Sequence, residues 1–232
     1  MSLCYNVLII HYNIKQICNY FIYMSTILFF ATIADVPKDH PLYAQRKQQY
    51  ENALAKVFSY SIPVHGVISE TNQETQDLLS LTTYPFASLY NIPTTNMYNC
   101  INKSMKEYTS MQLAIPSNIH DDTWIIKISG RYLITDDTFF NTVKSAPDRC
   151  NVIGRTFGEK DNYVQFYTFY YAMRYKYFKI FVEEHNYVLW AKNIERHLYD
   201  FVINRKLYDT TLFVNHLGIY CNIGEDTHFR SF

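Results

Sequence analysis

Residues 121–137, Asp-Asp-Thr-Trp-Ile-Ile-Lys-Ile-Ser-Gly-Arg-Tyr-Leu-Ile-Thr-Asp-Asp, narrow most what this chain can fold into. Tryptophan, isoleucine and tyrosine favour a pleated, half-buried surface. Period-two alternation sets Trp124, Ile126 and Ile128 on one face and Ile125, Lys127, Ser129 and Arg131 on the other. The segment is a buried strand that nevertheless delivers two cations in the same direction. Gly130, between Ser129 and Arg131, marks a bulge or the close approach of another backbone or a ligand. A rigid guanidinium fork and a compact ammonium at a strand end can together hold a diphosphate. The competing use of both cations is structural, as ion pairs with Asp121, Asp122, Asp136 or Asp137.

The segments before and after this strand alternate in type. Ile27 to Ala34 is an apolar first strand, the prolines of residues 35–41 make a loop, and Leu42 to Tyr60 is an amphipathic helix. Residues 62–70 form a second strand, 71–81 a helix, 84–92 a strand or loop, and 102–115 a helix whose polar start favours an anion. Thr135 or Asp136 can cap a helix over 137–143, so Asp136 and Asp137 read first as capping residues. The second half is more aromatic, with strands over 150–157 and 163–169 and helices over 173–182 and 193–204. Alternation of strands and helices predicts an α/β fold with a mostly parallel central sheet and ligands at the carboxyl ends of its strands.

The chain has 232 residues, with no repeats, linkers or charge blocks, and is expected to form one domain. Its 21 basic and 21 acidic residues cancel, which argues against recruitment of nucleic acid or an anionic membrane. Twenty-two tyrosines against 6 glycines indicate a packed domain rather than a disordered chain. The cysteines, at 4, 18, 100, 150 and 221, are odd in number and lack zinc-ligand spacing, so they read as reduced core thiols of a cytoplasmic protein. Residues 16–34 carry no charge and approach the length of about 20 that spans a bilayer, but polar side chains dilute them. The domain is expected to start near Met24, with residues 1–23 an extension or loose tail; a signal anchor is the lesser alternative.

Dinucleotide, phosphate-loop and nucleophile-elbow fingerprints are absent from the sequence, as is a His-Glu-x-x-His pair. Three segments in order, Asn102-Lys103-Ser104-Met105-Lys106-Glu107, Lys127-Ile128-Ser129-Gly130-Arg131-Tyr132 and 167–174, resemble those of a group of glycosyltransferase-like proteins from large DNA viruses and some microbes. The resemblance spans roughly residues 24–220 and rests chiefly on Lys-x-Ser-Gly-Arg-Tyr. It implies a GT-A-like, Rossmann-like sandwich that moves a sugar from a nucleotide-sugar donor to a glycan, protein or lipid acceptor. It places Asn102, Lys103, Lys106, Glu107, Lys127, Ser129, Gly130, Arg131 and Tyr132 about the donor.

Most GT-A enzymes hold a divalent metal with an Asp-x-Asp motif where this chain has Ser129-Gly130-Arg131. The departure implies a metal-independent transferase in which Arg131, with Lys127 or Lys103, neutralises the diphosphate. Asp136 and Asp137 are the fallback ligands for magnesium or manganese. For an inverting transfer Glu195 is the first candidate base, ahead of Glu70 and Glu107; its alternative role is to favour its own helix N-terminus. The acceptor is expected on Tyr167, Tyr170 and Tyr171, unless these rings pack in the core. The rival readings are a non-catalytic sugar-nucleotide or glycan-binding module and a viral structural or interaction protein, the latter in the host cytoplasm.

Overall fold

The computed structural model describes residues 26–31, 41–60, 65–70, 87–91, 108, 111–113, 115, 119–130, 132–158, 164–184, 193–222 and 229–231. Its centre is a seven-stranded sheet. In chain order the strands are β1 (Thr26–Ala31), β2 (His65–Glu70), β3 (Ala87–Asn91), β4 (Trp124–Ser129), β6 (Val152–Gly154), β9 (Tyr170–Arg174) and β10 (Thr211–Phe213). They lie side by side as β3-β2-β1-β4-β9-β6-β10. The pairs β1 with β2, β2 with β3, β1 with β4 and β6 with β10 are parallel, whereas β9 is antiparallel to both β4 and β6. The expected mostly parallel α/β sheet is therefore present, with β9 reversed.

The helices on this sheet follow from spacing. Helix α1 (Tyr43–Ser59) connects β1 to β2 and buries Tyr50, Ala53, Leu54 and Val57, one stripe at intervals of three and four. Helix α2 (Thr138–Ser145) buries Phe139, Phe140 and Val143. Helix α3 (Tyr175–Glu183) buries Tyr175, Phe178, Phe181 and Val182. Helix α4 (Ile194–Asn204) buries Ile194, His197, Leu198, Phe201 and Val202, and the Asn193 side chain caps it by accepting from the Arg196 backbone N–H. Each large apolar side chain so buried stabilises the fold by about 1.5–3 kcal/mol.

The sheet divides the interior in two. Trp124, Ile126 and Ile128 join Tyr50, Leu54, Phe139, Phe140 and Tyr170 in one core. Ile125 joins Tyr171, Met173, Phe178, Phe181, Leu198 and Phe201 in the other. β4 thus behaves as its alternation requires.

Several boundaries differ from expectation. The single strand expected over 150–157 is broken at Arg155 into β6 and β7 (Thr156–Phe157), and β7 leaves the main sheet to pair with β8 (Gln165–Phe166). β9 was not foreseen, because its five residues run straight into α3 with neither glycine nor proline between them. A small sheet of β5 (Leu133–Ile134), β11 (Ile219–Asn222) and β12 (Phe229–Ser231) closes the fold beyond β4. The helix expected over 71–81 and the tail 1–23 lie outside the described residues, as does most of the helix over 102–115.

Tyr170 and Tyr171 are fully buried, so neither offers a ring face to an acceptor, and that expectation is corrected. Their aromatic surface is used against Phe139 and Phe140 on one side of the sheet and Phe181 on the other. Among the described residues the Tyr170 hydroxyl has no hydrogen-bond partner, and burial, then the nearby Asp136 and Tyr60, push its pKa well up. An unsatisfied buried hydroxyl costs about 1–3 kcal/mol. Tyr170→Phe is therefore expected to leave stability unchanged or raise it by about 1 kcal/mol. A denaturant midpoint that falls clearly below wild type would contradict this.

Candidate functional site

Strand order reverses at β1: β2 and β3 lie to one side of it and β4 to the other. Connections leave such a pair in opposite directions, which opens a crevice at the carboxyl ends of the two strands. The last residue of β4, Ser129, stands there in register with Phe30 of β1. Because β9 is antiparallel, its beginning lies at the same end, and the Ser129 backbone N–H donates to the carbonyl of Phe169 at 2.8 Å. The chain then turns tightly, with the Tyr132 N–H donating to the Ser129 carbonyl at 3.2 Å and Gly130 buried between them.

Three side chains converge on this point. Lys127 is fully buried, and its ammonium donates to Ser129 Oγ at 2.9 Å and to the carbonyl of Thr168 at 2.5 Å. The buried Thr168 donates through Oγ1 to Glu195 Oε1 at 3.3 Å. Glu195 lies in the first turn of α4, directly behind the Asn193 cap. Lys127 and Glu195, separate candidates in the sequence, thus hold two atoms of one threonine. Thr168 itself had no signal in the sequence: a single hydroxyl ahead of an aromatic run is unremarkable until β9 reverses beside β4.

Lys127 binds protein oxygens here, and its cross-strand neighbours are Leu28 and Tyr171. Two of the acidic residues named above as rivals pair with other lysines. Asp121 pairs with Lys179 at 2.7 Å and Asp122 with Lys176 at 2.8 Å. The Lys176 hydrogen bond and charge hold the Asp122 carboxyl below the usual range.

On the next turn of the chain the Asp136 carboxylate accepts from the Thr138 N–H at 3.0 Å and lies 3.3 Å from His216 Nε2. Burial raises its pKa, but the bonds from Thr138 and the contact with His216 outweigh that and leave it lowered. Asp137 is exposed and makes no side-chain cap. Asp136 thus anchors the start of α2, in line with the capping reading. Among the described residues no group of three or more His, Cys, Asp or Glu side chains is gathered as a metal set. At the end of β4 the donor set is a hydroxyl already accepting from an ammonium, which does not suit a divalent cation.

The surviving acceptor candidate, Tyr167, is half-buried in a row of rings. It stacks on Phe157 with centroids 4.5 Å apart, Phe169 lies 5.2 Å from it, and Tyr132 meets Phe169 edge-on at 5.2 Å. The Arg155 guanidinium stands 5.6 Å from the Tyr167 centroid. Of the remaining donor candidates, Asn102, Lys103, Lys106, Glu107 and Arg131 lie outside the described residues. The structure therefore brings together Lys127, Ser129, Gly130, Tyr132 and, through Thr168, Glu195.

No protein-family model matches the sequence, and no curated protein does. Solved structures do match. 4-Diphosphocytidyl-2C-methyl-D-erythritol synthase from Anaerococcus prevotii superposes with a TM-score of 0.55 at 10% identity, over 84% of this chain and 88% of its own. The galactosyltransferase LgtC, in complex with donor and acceptor sugar analogues, gives 0.54 at 9% identity, over 82% and 73%. A putative glucose-1-phosphate thymidylyltransferase from Bacillus anthracis gives 0.54 at 11% identity, over 84% and 87%. With its mixed, mostly parallel sheet, the chain has the GT-A-like fold that these nucleotidyltransferases and glycosyltransferases share.

Proposed function

We propose that the protein is a glycosyltransferase that moves a sugar from a nucleotide-sugar donor to a glycan, protein or lipid acceptor, without a metal ion. The observation that carries the reading is the meeting of Lys127 and Glu195 at Thr168, at the carboxyl end of β4. Group transfer from a diphosphate needs positive charge where the leaving group departs and, for inversion, a base within reach of the acceptor hydroxyl. Both types of group are present within one hydrogen-bonded cluster.

In this reading the donor diphosphate lies over the turn after β4 with Lys127 supplying charge from beneath, and Arg131 is assigned to the same diphosphate from the sequence motif alone. Glu195 takes the acceptor proton. The acceptor approaches along the ring row of Tyr167, whose apolar faces suit a sugar ring. The likeness to both glycosyltransferases and nucleotidyltransferases makes the released product the discriminating quantity. A glycosyltransferase releases a nucleoside phosphate, and a nucleotidyltransferase releases pyrophosphate.

The test is a thermal-shift screen of the full chain against nucleotide-diphosphate sugars, with EDTA or with manganese, followed by product analysis for any donor that binds. A donor at a hundred times its Kd should add about 2.7 kcal/mol to stability. A shift that persists in EDTA, with nucleoside diphosphate released on acceptor addition, is the expected outcome. A shift that requires manganese would remove the metal-free mechanism, and no shift with any donor would favour an interaction protein.

A further inference from the structure

An ammonium group can only donate hydrogen bonds, so in the 2.9 Å contact between Lys127 Nζ and Ser129 Oγ the serine oxygen is the acceptor. The serine proton must then point away from the lysine. The serine backbone is already committed, its N–H to Phe169 and its carbonyl to Tyr132. Among the described residues no acceptor takes the hydroxyl proton. Ser129 is half-buried at the last position of β4, beside β1, where the reversal of strand order opens the crevice. A single hydroxyl is thus aimed by a buried charge at the place where this fold receives ligands.

We propose that Ser129 Oγ–H is the contact for one phosphate oxygen of a diphosphate, and that Lys127 is a positioning residue acting through it. This deepens the transferase reading above by naming the atom that meets the leaving group. Lys127 is wholly buried and holds its place through the Thr168 carbonyl, so it does not need to reach the ligand. It turns the serine proton outward, polarises the O–H bond, and sets a positive charge one hydrogen bond behind it. Such a donor selects an anionic oxygen and repels a metal cation. Charge reaches the ligand through the serine, with no ion to be loaded first.

The experiment is isothermal titration of the full-length protein in EDTA with two probes, inorganic pyrophosphate and UDP. Wild type is expected to bind at least one of them. Ser129→Ala should weaken that binding about 10- to 100-fold, the range of a hydrogen bond to a charged group, and Ser129→Thr should retain it. Lys127→Met, near in volume and apolar, should lose as much as Ser129→Ala. The double variant should then be no weaker than Lys127→Met, a coupling that a purely structural lysine would not produce.

Pyrophosphate binding that depends on Ser129, with no nucleotide bound, would keep this proposal and remove the transferase reading. UDP binding unaffected by Ser129→Ala would do the reverse. Binding of neither probe by wild type would remove both, and additive losses in the double variant would overturn the role of Lys127.

Discussion

Exchange of Glu195 for glutamine is expected to lower the rate of sugar transfer about 10²- to 10⁴-fold, the span that a positioned general base contributes, with donor affinity close to wild type. The substitution is conservative where it matters structurally. Glutamine keeps the length of the side chain and a carbonyl oxygen that can accept from Thr168 Oγ1 as Glu195 Oε1 does at 3.3 Å. Asn193, and not Glu195, supplies the side-chain cap of α4, so the helix start survives. What is lost is an oxygen basic enough to take a proton. The measurement is kcat and KM for the donor identified by binding, on wild type and variant. A fall in kcat alone supports the base; a fall in donor affinity of equal size would place Glu195 in binding, and unchanged kcat would indicate a retaining transfer that uses no such base.

The second large effect is on stability, at Gly218. Its φ of +63° is one that side-chain-bearing residues rarely adopt, and a Cβ there would lie 2.4 Å from Asp136 Oδ1. Placing alanine in the left-handed region costs about 1–2 kcal/mol. The carboxylate must also move off the Thr138 N–H, although water can partly replace that bond because Asp136 is 39% exposed. Together these give an expected loss of about 2–3 kcal/mol, or a Tm lower by roughly 5–10 °C.

The acid side of the stability profile gives an independent check. In wild type the lowered pKa of Asp136 contributes stability that is complete above its ordinary value of 3.8 and is lost as pH falls through the lowered one. With the carboxylate displaced, Gly218→Ala should lose less on acidification than wild type does. A Tm within a degree of wild type would show that the turn relaxes without strain.

How far these features were legible in the sequence depends on the range of the forces that fix them. β4 was readable because its alternation is local, and Trp124 and Ile125 fall into the two cores that period two assigns them. The stripes of α1 and α4 were readable for the same reason. The burial of Lys127 was not, since it depends on Thr168, 41 residues away, offering a carbonyl at the right depth. Nor could the sequence divide the run 167–171 by exposure. Tyr167, Tyr170 and Tyr171 look alike as letters, but only the first lies outside the strand, and β9 turns the other two into opposite cores. Asp136 was legible as a cap because an aspartate two residues ahead of a helical N–H acts locally.

The reversal of β9 also changes where a reader should look for kinship. In the six strands that share one direction, residues that can reach a ligand follow the hydrophobic run, because the chain arrives at the crevice. In β9 they precede it, because the chain departs from the crevice, and Thr168 stands two positions ahead of Tyr170. Comparison of distant sequences by what comes after each strand would pass over this threonine. Alignment on the residues leading into the antiparallel strand, with a serine closing the strand beside it, is the frame in which chains built on the same principle would become recognisable.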